Sequence, residues 1–356
     1  MSHLVEKVLQ ITKEHNTNIY IYGAGGLARM IFFSVKKCGG VVDAFVIDDA
    51  YYLKAYDELT GLPVKKLSEI IELDFKIIIG FEGDFKEKLA QTGIDEQHIL
   101  AADFLGYLAS SGANGTFETY YFENEKLFAE TRDMLEDDTS KIRFDDFVNQ
   151  KRFGCYSKEY DRNSQYFDEV IIGSRISNKE VFVDCGAFQG ETAIAFVDFL
   201  KKHDICDYKS IIEIEPDASN IKVMEERLKG YKNIEFVKAG VYDKNGQLSF
   251  CSEQGSSSKI SDSGDVSIDV ISLDEYIKDD VPVSFIKMDI EGSELKALYG
   301  AKRTIERNRP KLAICVYHKN EDLIEIPRYI RSWGMDYKFY LRSYSRCGVE
   351  TVIYAV

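Results

Sequence analysis

The sequence predicts an α/β chain built from two parallel-sheet halves, the second closing on an antiparallel hairpin. Three observations lead there. Twice a β-rich run leads into a glycine turn, at Asn18–Tyr22 before Gly23 and at Glu180–Val183 before Gly186. In both halves strands then alternate with helix-length segments, the pattern of a parallel sheet covered on both faces. The last two periodic runs, Tyr337–Leu341 and Glu350–Ala355, are both strands. The fold class is therefore two Rossmann-like α/β domains, the second with a seven-stranded sheet and a helical preface.

The totals suit this. A chain of 356 residues with 45% apolar side chains, 22 Tyr and 22 Phe can fill two cores. With 45 basic against 60 acidic residues the net charge is -15. A duplex or membrane surface would repel such a chain, so no nucleic-acid partner is expected. The first residues read as an amphipathic helix rather than a leader. No apolar run approaches the ~20 residues of a membrane span. The seven cysteines are scattered without a C-x-x-C pair, which argues against a zinc site and favours reduced thiols in a cytoplasmic protein.

In the first half, Val41–Ile47 and Lys76–Gly80 are the next strands. Helix-like segments lie near Lys65–Glu72 and Phe85–Thr92. The small, polar stretch at 110–115 is the expected linker. The expected domains are 1–110 (Rossmann-like), 117–178 (a helical connecting region) and 179–356. The strands of the last part are Glu180–Val183, Ser210–Ile214, Ile234–Val237, Gln247–Phe250, Ser267–Ile271, Ser284–Met288, Lys311–Val316 and the terminal pair. Ser272-Leu273-Asp274-Glu275 reads as a capping box.

The run Val183-Asp184-Cys185-Gly186-Ala187-Phe188-Gln189-Gly190-Glu191-Thr192 carries the functional inference. Its strand delivers the chain to the carboxyl edge of the sheet, where open α/β folds bind ligands. Gly186 permits a sharp turn and Gly190 a close backbone approach. The spacing is neither a dinucleotide G-x-G-x-x-G nor a P-loop. Asp184 would repel a phosphate but suits a sulfonium and an ammonium. Glu215 ends the next strand, some ~30 residues on, where a carboxylate can accept both hydroxyls of a ribose. The alternative is a pair of solvated strand-end acids.

These motifs resemble those of FkbM-type methyltransferases. The resemblance rests on V-D-C-G-A-F-Q-G-E-T at 183–192, E-P-D at 215–217, N-I-E-F-V-K-A-G-V-Y-D at 233–243 and G-S-S-S-K-I at 255–260. It continues in V-I-S-L-D-E-Y at 270–276, F-I-K-M-D-I-E-G-S-E-L at 285–295 and N-R-P-K-L-A-I at 308–314. The resemblance implies an enzyme moving a methyl group from S-adenosylmethionine to a hydroxyl of a sugar or related metabolite. Carried over by position, Asp184, Gly186 and Gly190 form the cofactor loop, and Glu191 and Thr192 open a helix whose N-terminus favours the methionine carboxylate. Glu215 takes the ribose, and Ala239 and Gly240 the adenine.

On the acceptor side, Lys287, Asp289 and Glu291 alternate onto one face while their strand lasts. Asp289 and His318 follow strands ending at the cofactor edge and are the candidate bases. Lys287, Glu291, Ser257 and Ser258 are the expected acceptor contacts. Asp289, Glu291 and His318 offer O and N ligands for a divalent ion; no metal-specific spacing demands one, so none is assigned.

In the first half, Gly23-Ala24-Gly25-Gly26-Leu27-Ala28 fits G-x-G-x-x-A after a strand, with Asp48 ending the next. I-Y-G-A-G-G-L-A-R at 21–29, V-I-D-D at 46–49 and G-L-P-V at 61–64 resemble the N-terminal domain of sialic-acid and bacillosamine-type sugar acetyltransferases. The resemblance implies a nucleotide-sugar held by Gly23, Gly25, Gly26 and Asp48. Two other functions compete: an NAD-dependent sugar-nucleotide enzyme, and a non-catalytic nucleotide-sensing scaffold.

Overall fold

The computed structural model describes residues 3–14, 17–37, 39–81, 89, 92, 94–101, 117–153, 159–162, 164–251, 259–260, 266–345 and 348–356. The chain divides into two compact units. One comprises Met1–Glu123 with Asp145–Lys158, the other Asn124–Phe144 with Glu159–Val356. Residues 117–178 are thus shared between them, and helix Asp138–Phe153 runs from the second into the first. No helix among the described residues is long and apolar enough to cross a membrane.

The first unit holds a parallel sheet of β1 (Asn18–Tyr22), β2 (Ala44–Ile47), β3 (Val64–Lys66), β4 (Phe75–Ile79) and β5 (Ile99–Ala101), in the order β3-β2-β1-β4-β5. Ile19, Ile21, Phe45 and Ile78 pack one face with helix Gly26–Lys37; Tyr20, Tyr22, Ile77 and Ile79 fill the other. Two-sided burial is why these strands read as unbroken apolar runs. Two elements differ from expectation. The strand sought at Val41 begins at Ala44, because Val41 is exposed and Asp43 turns its carboxylate onto the Ile19 amide at 2.8 Å. The helix sought at Lys65–Glu72 is instead β3 and a 3₁₀ turn, Leu67–Glu69. Val64 continues the sheet beyond β2, and Leu67 and Ile70 then fold onto its face. The linker at 110–115 and most of Phe85–Thr92 lie outside the described residues.

The second unit contains β6 (Val181–Cys185), β7 (Ser210–Ile214), β8 (Ile234–Val237), β9 (Gly240–Val241), β10 (Gly246–Cys251), β11 (Lys259–Ile260), β12 (Val266–Ile271), β13 (Phe285–Met288), β14 (Lys311–Cys315), β15 (Phe339–Ser343) and β16 (Thr351–Ala355). Seven of them form one sheet, ordered β15-β16-β14-β13-β6-β7-β8. Strands β8, β7, β6, β13 and β14 run parallel, and β16 lies antiparallel to both β14 and β15. The expected Rossmann-like sheet with a terminal hairpin is therefore present. Strands β9 to β12 form a separate four-stranded sheet. Order reverses at β6: β7 and β8 build outward on one side, β13 and β14 on the other. That reversal opens a crevice beyond the carboxyl ends, the usual ligand position in such sheets.

Helix Glu191–Lys202 covers the sheet because its apolar positions Ala193, Phe196, Val197, Phe199 and Leu200 share a face. Glu191 in its first turn and Lys201 and Lys202 in its last complement the helix dipole. Beneath it Phe182 stacks on Phe196 at 4.6 Å, and Phe167 contacts Phe182, Phe196, Phe199 and Phe285 within 5.9 Å. The short helix Leu273–Tyr276 forms without the expected capping box. Ser272 stands at its N-cap, but its hydroxyl donates to the Gly300 carbonyl at 2.8 Å, and the Asp274 carboxylate accepts from the Thr304 amide at 2.7 Å.

Candidate active site

A cavity of about 420 Å³ opens at the carboxyl ends of β6, β7 and β13. The turn after β6 forms one wall. Gly186 (φ 87°) is required there, since a Cβ would sit 1.9 Å from the Asp289 carbonyl oxygen. Gly190 (φ 84°) has a different reason from close ligand approach: a Cβ would meet Leu228 at 2.9 Å and Met224 at 3.0 Å. It serves packing against helix Ala218–Arg227, and it does not line the cavity. Between the glycines, Phe188 also adopts positive φ (47°), which directs its amide to Glu215.

Glu215 is held rigidly. Its Oε2 accepts from the Phe188 amide at 3.1 Å, and its Oε1 from the Asp217 amide at 3.0 Å and the Asn220 side chain at 3.2 Å. Burial pushes its carboxyl up, and these donors oppose the rise. Asp217, the last residue of E-P-D, caps helix Ala218–Arg227 by accepting from the Ser219 and Asn220 amides.

Asp184, Glu213 and Lys287 lie side by side across β6, β7 and β13. Asp184 is fully buried, and among the described residues it does not line the cavity. It pairs with Lys287 Nζ at 2.8 Å, and the same ammonium donates to the Gly186 carbonyl at 2.7 Å. Lys287 does line the cavity, 5.1 Å from the centre of the Tyr166 ring. Burial works against the Lys287 ammonium, but Asp184 and Asp289 outweigh it and hold the charge. Glu213 is fully buried with no hydrogen-bond partner among the described residues. Burial and then Asp184 push its carboxyl well above the usual carboxylate range, with Lys287 opposing the rise.

Asp289 lines the cavity one residue beyond β13. Its Oδ2 accepts from the Tyr166 hydroxyl at 2.6 Å and its Oδ1 from the Tyr317 hydroxyl at 3.2 Å. Burial favours its neutral form, but Lys287 and His318 prevail and lower its pKa. Glu291 also lines the cavity, in a turn at positive φ (54°) after the strand's alternation has ended. His318 lies just behind. Burial disfavours its charged ring, yet Glu294, Asp289 and Glu291 raise its pKa to about 9. The ring is therefore charged at neutral pH, and of the two candidate bases Asp289 is the one in acceptor form.

Glu191, Thr192, Ala239 and Gly240 line the cavity with Gly186. Glu191 is ion-paired with Arg227. Ser257 and Ser258 lie outside the described residues. Gln165, Tyr166, Tyr317, Val349 and Glu350 also line the cavity, and sequence reasoning did not select them. Tyr317 had a signal, its place between β14 and His318. Tyr166 precedes its partner Asp289 by 123 residues and carries no motif.

In the first unit a separate cavity of about 420 Å³ is lined by Gly23, Gly25, Gly26 and Asp48, together with Tyr51 and Phe81. Gly23 (φ 121°) makes the tight turn, since a Cβ would lie 2.8 Å from the Gly80 carbonyl oxygen. Asp48 accepts a hydrogen bond from Tyr22.

Residues 184–338 match the family model described as Methyltransferase FkbM domain. No curated protein matches the chain. The solved structure of methyltransferase FkbM from Methylobacillus flagellatus KT is similar over 100% of this chain and 94% of its own, with 25% identity and a TM-score of 0.75. Partial likenesses include an rRNA methylase from Streptococcus thermophilus (15% identity, 51% of this chain, 87% of its own, TM-score 0.33). Aeropyrum pernix fibrillarin, solved with S-adenosyl-L-methionine, is another (13% identity, 51% of this chain, 69% of its own, TM-score 0.33).

Proposed function

With a methyltransferase FkbM domain in residues 184–338 as the premise, we propose that this protein transfers a methyl group from S-adenosylmethionine to a hydroxyl of a saccharide or nucleotide-sugar. One observation carries the reading: Glu215 and Asp289 line a single cavity at the reversal of strand order. The residues present fit this donor. The cavity, at about 420 Å³, is within the size range of small-molecule sites. Glu215 has both oxygens fixed by donors that take three of its four lone-pair sites, which leaves one, on Oε2, for a ribose hydroxyl. Ala239, Gly240 and Ile268 offer an apolar side of the cavity for adenine. Thr192 stands in the first turn of a helix whose N-terminus suits the methionine carboxylate. Asp184 acts one step back, by holding Lys287.

When bound, S-adenosylmethionine supplies an electrophilic methyl group open to in-line displacement by an oxygen. Asp289 accepts the acceptor's hydroxyl proton as the new oxygen–carbon bond forms. Tyr166 and Tyr317 hold its carboxylate ionised and aimed. His318, already charged, stabilises the Asp289 carboxylate instead of competing for the proton. In the first unit, the cavity around Gly23, Gly25, Gly26 and Asp48 supports a nucleotide or nucleotide-sugar ligand.

The test is transfer of a labelled methyl group to a panel of sugars, nucleotide-sugars and glycans. Label in a sugar ether is expected; label confined to amines or thiols would overturn the hydroxyl assignment. Thermal shift against UDP- and CMP-sugars tests the first unit. A ligand at a hundredfold excess over its Kd should add about 2.7 kcal/mol.

A further inference from the structure

Beyond β13 and β14, more carboxylates converge on a histidine than the transfer step uses. The His318 side chain is 10% exposed. Its Nε2 lies 3.5 Å from Asp289 Oδ1 and 3.5 Å from Glu291 Oε2. Its Nδ1 faces Glu294 Oε1 at 3.0 Å. Among the described residues Nε2 makes no hydrogen bond, and neither does the fully buried Glu294 Oε2. Asp289, Glu294 and His318 offer donor atoms that all lie within 4.8 Å of one another. Asp322, also buried, adds a fourth carboxyl beside Glu294.

Donors around an ion at bonds of about 2.1 Å stand about 3.0–3.4 Å apart in octahedral or tetrahedral geometry. The two contacts of Nε2, at 3.5 Å, lie just above that range, so a small inward shift would bring all three donors to an ion. The contact of Nδ1 with a buried carboxylate is the arrangement that fixes a metal-binding imidazole from behind.

We propose that His318 Nε2, which releases its proton to solvent as the ion binds, forms a divalent-cation site with Asp289 and Glu291, with Glu294 orienting the imidazole. One imidazole among carboxylate oxygens suits Mg²⁺, Mn²⁺ or Fe²⁺ and offers no thiolate for a soft ion. Asp289 and Glu291 line the cavity, so the open positions of the ion face the acceptor. There it would take two neighbouring oxygens of a polyol and polarise one of them. This last step rests on the proposed methyl transfer; the cation site itself does not.

The test is a Mn²⁺ titration of the full chain after treatment with a chelator, following the resonance signal of free Mn²⁺, with no donor or acceptor present. Saturable binding of one Mn²⁺ per chain, competed by Mg²⁺, is expected. His318→Ala and Glu291→Gln should each weaken it at least tenfold, and Glu294→Gln about 10- to 100-fold. Free signal rising in full from the first addition overturns the site, as does wild-type binding by folded His318→Ala. Glu291, in the turn, gives a variant less exposed to misfolding, and wild-type affinity there removes it as a ligand and overturns the site as drawn. Calorimetry with S-adenosylmethionine reads the methyl-donor proposal separately, so either can fail alone.

Discussion

Tyr166 donates its hydroxyl to Asp289 at 2.6 Å, joining a residue before β6 to one after β13 across 123 positions of sequence. Tyr317 reaches the other carboxylate oxygen, so the candidate base is fixed from two sides. A hydrogen bond to a charged group contributes about 1.5–3 kcal/mol. Tyr166→Phe should lower kcat roughly 10- to 100-fold while leaving donor affinity within a few fold. Steady-state kinetics with calorimetry separates the two, and an unchanged kcat would remove Tyr166 as a positioning residue.

Asp289→Asn keeps the shape and removes the charge. Loss of a general base costs about 10²–10⁴ in rate. Single-turnover transfer at saturating donor should fall by that much, and a wild-type rate would show that another group takes the proton.

The parts of this site legible in the sequence are those carried by local pattern. The glycine turn after β6 and the acid ending β7 follow from strand periodicity and from the sharp turn a glycine permits. The terminal hairpin follows from the two β-rich runs at 337–341 and 350–355. The rest depends on partners distant in sequence. Asp184 reads as a ligand contact on spacing alone, and only the register of β6 on β13 shows Lys287 beside it. Gly190 reads as room for a ligand, and only the packing of helix Ala218–Arg227 shows that Leu228 and Met224 claim that room. The segment at Lys65 has the composition of a helix start, and pairing with β2 overrides it.

Glu213 sets a pH dependence of stability. Its folded pKa is raised far above the ordinary 4.5, so the native state binds more protons than the unfolded one from about that pH upward. The associated stability is present below pH 4.5 and falls as pH rises toward the folded pKa. Glu213→Gln removes the titration with little change of shape. The melting temperature of the variant relative to wild type should climb as pH rises above about 4.5, and a gap independent of pH would contradict the assignment.

Phe167 contacts four other phenylalanines at the centre of the second unit. Phe167→Ala should cost about 3–5 kcal/mol. Denaturant unfolding should show a lower midpoint with the slope retained, and a loss below about 1 kcal/mol would mean the cluster collapses around the gap.

The central claim is that the cavity beside Glu215 binds the methyl donor. Calorimetry of wild type and Glu215→Ala with S-adenosylmethionine tests it most directly. Binding by wild type and at least a tenfold loss in the variant, about 1.4 kcal/mol, is the predicted result. No binding by wild type, or equal affinity in the two proteins, would contradict it.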